Sequence, residues 1–122
     1  LIGHVLVVAA SLALIALGAG ALAAPVALAR GYGIEADGAT ALAYVRAAGV
    51  RDLLFGLTLD GLVYLHAEAA LVLAVVLCIL VALGDLTIVF TARRAAAPMS
   101  LATHAGGAAG FAVIWFLLAN RL

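Results

Sequence analysis

Residues 71–91 form an apolar run long enough to cross a bilayer, and a single carboxylate, Asp85, interrupts it. A helix needs about 20 apolar residues to span the hydrocarbon core. An ionisable group inside such a span costs at least about 2.5 kcal/mol and normally faces protein or a water-filled cavity. Asp85 therefore demands partners, and the rest of the chain has to supply them from other helices.

The composition agrees with a membrane environment. The chain of 122 residues is 69% apolar and 10% charged, against roughly half and a quarter in soluble domains. That length allows one domain, residues 1–122, with four crossings and little else. The six basic residues are all arginine and six acids balance them, so nucleic-acid binding has no electrostatic support. The single cysteine, Cys78, lies in mid-span and excludes an intrachain disulfide. No CxxC, HxxxH or HExxH spacing points to zinc.

The apolar pattern predicts an all-α fold, an integral membrane four-helix antiparallel bundle. Its spans cover about 1–29, 49–65, 69–91 and 100–119. A loop at 30–48 holds three glycines, Glu35 and Asp37, with room for an interfacial helix over 41–48. In the first span His4, Ser11, Gly18 and Pro25 recur every seventh position, a seam suited to close helix packing. Ala21-Leu22-Ala23 resembles a cleavage site, but a basic segment is missing and the apolar run is too long for a signal core. The chain begins without Met, which leaves room for residues ahead of Leu1. Residues 64–68 make a tight turn between the second and third spans, and Ser100 is the expected N-cap of the fourth. Arg30, Arg93 and Arg94, with Arg46 close by, outweigh Arg121 on the other side. The positive-inside rule then places both termini outside the cytoplasm.

Depth follows from helix order. Asp52 lies just inside the start of the second span, Asp85 near the end of the third, and His104 just inside the start of the fourth. All three share one membrane level, with Arg51 adjoining. Paired and hydrogen-bonded, such charges are tolerable in lipid. Two carboxylates beside an imidazole can supply both a proton donor and an acceptor. In that reading Arg51 holds Asp52 ionised, Asp85 donates the proton and His104 accepts or orients it. A purely structural network, with one Arg–Asp pair and one Asp–His pair fixing helix register, is equally compatible with the sequence.

The segment Gly49-Val50-Arg51-Asp52-Leu53 with Gly56, then Gly84-Asp85, then His104, resembles the small membrane proteins of domain-of-unknown-function family 4267. The resemblance covers roughly 49–118 and rests on a G-x-R-D-x-x-x-G segment, a later G-D and a histidine opening the last helix. It implies a four-helix bundle in bacteria or fungi, groups Arg51, Asp52, Asp85 and His104 as one unit, and carries no established activity.

Asp60 lies two turns beyond Asp52, about 12 Å deeper, on one face with Gly49, Asp52 and Gly56. Either it floors a cavity, or it is a protonated carboxyl hydrogen-bonded to a neighbour such as Ser11. Gly56, Asp60 and Cys78 are the candidate substrate contacts, with Cys78 read first as packing. His66 and Glu68 belong to the opposite turn, solvated or interfacial, and His4 can approach them. Gly106 and Gly110 form a GxxxG, extended by Ala102, that packs within the chain by default or serves a homo-oligomer. Trp115 and Tyr64 suit the aromatic belt on the outer side.

Three functions fit these residues. The first is an enzyme or binding protein for a small lipophilic molecule, working by isomerisation, cyclisation or epoxide opening without a cofactor. The second is a structural or accessory subunit whose polar cluster only fixes the bundle. The third is proton transfer, weakened because only Tyr64 and His66 follow Asp60 in its span. Expected partners are membrane lipids and a lipophilic ligand. His4, His66 and His104 fall on different spans and no dinucleotide fingerprint is present, so neither haem nor flavin is implied.

Overall fold

Pro25 ends the first helix. A residue preceding proline is pushed out of the helical region, and Ala24 accordingly adopts φ −137°, ψ 62°. In this computed structural model, which describes residues 1–32, 35–92 and 98–120, helix α1 runs Ile2–Ala23 and a short α2 runs Pro25–Gly31. The expected first span thus breaks four residues after Gly20 and continues as a separate turn-and-a-half helix, with Pro25 at its start.

Helix α3 runs Gly38–Tyr64, α4 Glu68–Ala92 and α5 Pro98–Ala119. The interfacial helix expected at 41–48 is not separate from the second span, because nothing between Gly38 and Tyr64 breaks the 27-residue helix. Gly38, at φ +84°, takes a left-handed conformation just after the extended Asp37. The α3–α4 turn is as tight as expected, and a Schellman motif explains it. The Ala67 N–H donates to the Leu62 carbonyl and the His66 N–H to that of Val63, with His66 at φ 51°. Ser100 is not the cap of α5; the helix begins two residues earlier, at Pro98.

Three helical stretches are long and apolar enough to cross a membrane: Ile2–Ala23, Glu68–Thr91 and Leu101–Ala119. The fourth expected span lies in α3, which Arg51, Asp52 and Asp60 make too polar for that class. Large apolar side chains point outward along the chain, among them Leu12, Leu57, Leu80, Ile88 and Phe116. Such helices, apolar on every side, suit lipid.

The small-residue seam of α1 lies against α3. A Cβ at Gly18 would stand 2.5 Å from the Gly49 carbonyl oxygen, and one at Gly49 would stand 2.5 Å from the Ala21 Cβ. One at Gly56 would meet Ile15 and the Ser11 carbonyl at 2.7 Å. Only glycine permits this approach. The order of contacts, Gly18 with Gly49 and Ser11 with Gly56, makes α1 and α3 antiparallel. The apolar core, with Val7, Leu59, Leu71, Val75, Ile114 and Leu118, draws on all four long helices. At the end of the molecule where α1 and α4 begin, His4 Nε2 lies 2.9 Å from Glu68 Oε1.

Candidate functional site: a polar cluster between two cavities

Helix α3 presents Arg51 and Asp52, α4 presents Asp85 and α5 presents His104, all at one end of the core. The Arg51 guanidinium donates from Nη1 to Asp85 Oδ1 at 3.1 Å and from Nη2 to Asp85 Oδ2 at 2.7 Å. It also donates from Nε and Nη2 to Asp52 Oδ1, both at 3.2 Å. The fork therefore grips Asp85 by both oxygens and shares one oxygen of Asp52, so the expectation that Arg51 serves Asp52 is only part of the geometry. Asp52 Oδ2 makes no hydrogen bond among the described residues.

The expected Asp–His pair is not formed. No hydrogen bond joins His104 to either carboxylate among the described residues, and its buried Nε2 has no partner there. Its ring stacks instead on Tyr32, with centroids 5.7 Å apart and planes 20° from parallel. Tyr32 is the residue that sequence reasoning missed, because it sits in the connection after α2, where polar residues read as solvated. The available signal was its place on the arginine-rich side, at the cluster's own level. Burial, then the charges of Asp52 and Asp85, push the Tyr32 phenol above its ordinary value of 10.0, with Arg51 opposing them.

Two cavities open at this cluster. The larger, about 530 Å³, has apolar walls from α2, α3 and α4, including Ala29, Ala41, Ala48 and Ile88, with Tyr44 and Glu35 also in its lining. The smaller, about 120 Å³, runs toward Phe55, Cys78 and Phe111. Four residues border both: Tyr32, Asp52, Asp85 and His104.

A sequence model described as Domain of unknown function (DUF4267) matches residues 11–118. The chain belongs to this family. No curated protein and no solved structure matches it. The DUF4267 match reaches well beyond the stretch carrying the short motifs and takes in Tyr32 and most of α1.

The other candidates of this DUF4267 chain fall elsewhere. Cys78 is buried in the apolar core and reaches only the smaller cavity. Gly56 is a contact of α3 with α1, and neither it nor Asp60 lines either cavity. The Ser11 hydroxyl, itself 2.8 Å from the Val8 carbonyl, donates to the Asp60 carboxyl, so Ser11 is the neighbour that Asp60 meets. Gly106 and Gly110 face open space among the described residues, since a Cβ at either would meet none of their atoms within 4 Å. Tyr64 is 83% exposed and Trp115 41%. Among the described residues no group of three His, Cys, Asp or Glu side chains is placed to hold a metal ion.

Proposed function

We propose that this DUF4267 protein is a four-span antiparallel bundle that binds a small lipophilic molecule in the larger cavity and acts on it by acid–base chemistry. The observation that carries this reading is the cavity itself: about 530 Å³, apolar along its walls, with Arg51, Asp52, Asp85 and His104 together in its lining. Ligand sites commonly combine an apolar volume of about 300–1,000 Å³ with a few convergent polar groups. Helix α3 crosses with the others because its polar side chains are partnered internally, Arg51 with Asp52 and Asp85, and Asp60 with Ser11. The protein resides in a bacterial plasma membrane with both termini outside the cytoplasm. Arg93, Arg94 and Arg121, on which that orientation rests, lie outside the described residues.

In this reading the chemical roles are shared out differently from the order expected of the sequence. Asp85, held at both oxygens by Arg51, is the fixed carboxylate. Asp52, with one oxygen free of Arg51, exchanges the proton with the ligand. His104, whose Nε2 is unpartnered among the described residues, and the neutral Tyr32 phenol orient the ligand or complete the transfer. Isomerisation and ring closure need only such a donor and acceptor, and epoxide opening needs them with loss of a proton from the neighbouring carbon or attack by a water.

A second reading, that of an accessory or self-associating subunit, draws on the outward face of α5, where Gly106 and Gly110 are open to a partner helix. A photoactivatable alkyl diazirine, applied to the protein in liposomes and mapped by peptide sequencing, tests the cavity. Labelling concentrated at Ala29 and Ala48, and abolished by the filling substitution Ala48→Phe, is the expected result. Labelling spread evenly over outward leucines, indifferent to that substitution, overturns the binding role.

A further inference from the structure

The charge balance of the larger cavity narrows what it can accept. Its described lining brings three carboxylates, Glu35, Asp52 and Asp85, against one guanidinium, Arg51. With His104 neutral the formal sum is three negative and one positive, a surplus of two negative charges. Arg51 cannot be recruited by an incoming anion. A guanidinium has five N–H donors in a fixed fork, and this one already makes four hydrogen bonds to the two aspartates. A carboxylate or phosphate would find no open bidentate edge on it and would meet three like charges.

A positive head group meets the opposite situation. Asp52 Oδ2 is unengaged among the described residues, and Glu35 stands exposed in the same lining. Tyr32 and Tyr44 add two aromatic rings, whose faces attract cations. The body of the ligand has apolar space beside them, because Ala29, Ala41 and Ala48 contribute little more than methyl groups to the walls.

Resting on the ligand-binding reading above, we infer that the larger cavity selects a lipophilic cation, an ammonium group carried on an apolar body. Glu35 attracts it and Asp52 pairs with it. The neighbouring aspartate stays committed to Arg51, so the ammonium does not have to compete for the ion pair that joins α3 to α4.

Native mass spectrometry of the full chain, released from a neutral detergent after separate incubation with dodecylamine, dodecanol and dodecanoate, tests this. The three probes share a tail and differ in head-group charge. Dodecylamine is expected to bind best, and Glu35→Gln to weaken it about two- to fivefold, the equivalent of one exposed charge pair. Glu35→Gln removes a charge from an exposed side chain, so it reports on binding even if Asp52→Asn fails to fold. Dodecanol or dodecanoate binding as tightly as the amine, with Ala48→Phe displacing all three, overturns the cation inference and leaves the lipophile pocket standing. Binding of none of the three removes both.

Discussion

The Arg51 guanidinium holds Asp85 by both carboxylate oxygens, at 3.1 and 2.7 Å, and so ties α3 to α4. A lysine ammonium is a point charge and cannot reproduce that fork. Arg51→Lys should therefore lower stability by about 1–3 kcal/mol, between the values for exposed and buried pairs. Thermal unfolding in detergent measures it. The double replacement Arg51→Met with Asp85→Leu should cost less than the sum of its single changes, since Arg51→Met alone strands both aspartates and the double change strands only Asp52.

Glycine placement gives a contrast within one protein. Gly18→Ala puts a Cβ 2.5 Å from the Gly49 carbonyl, so α1 and α3 must separate, at a cost of about 1–3 kcal/mol. Gly106→Ala meets no atom of the described residues within 4 Å, so it costs nothing in packing and should stabilise the monomer by about 0.5–1 kcal/mol through helix propensity. Melting curves of the two variants, recorded at a dilution that keeps the chain monomeric, check both expectations.

Tyr32 gives the pH dependence. Its phenol titrates above its ordinary value of 10.0, through burial first and the Asp52 and Asp85 charges next. The folded state therefore holds this proton more tightly than the unfolded chain. Its contribution to stability is complete below pH 10.0 and is lost as the pH rises through the folded value. Phenolate absorbance should show a step above pH 10.0, and Tyr32→Phe should abolish it.

Ser11 and Asp60 separate stability from binding. Ser11→Ala removes the hydroxyl that donates to Asp60 and should cost about 1–3 kcal/mol, as for a polar group left without its partner. Because Asp60 lines neither cavity, the same variant should bind a cavity ligand as the wild type does. Unfolding and ligand titration on one preparation distinguish the two effects.

The polar cluster was legible because helix order alone fixes membrane level. Asp52 and His104, read as lying just inside the starts of their spans, and Asp85, near the end of its span, had to share a depth, and all three border one cavity. The heptad seam was legible for a similar reason: Ser11, Gly18 and Pro25 are buried. What depth cannot give is rotation about the helix axis. Gly106 and Gly110 carry a packing motif, yet which side of α5 faces its neighbours depends on side chains from other helices. Hydrogen-bond partnering was likewise open, since an arginine between two aspartates can serve either one. Tyr32 escaped because chain connections have no periodicity to read. The α3 boundary was missed because a polar stretch and a helix end look alike until the backbone is seen to continue.

The central claim is that the cluster serves a ligand and does not merely brace the helices. Native mass spectrometry with lipid identification, on gently purified wild type beside Asp85→Asn, tests it most directly. The account predicts a discrete lipophilic molecule retained by the wild type and lost from a variant that remains folded. A wild type with no bound molecule, beside a variant that comes apart, would contradict it and leave Arg51, Asp52 and Asp85 as a structural clasp.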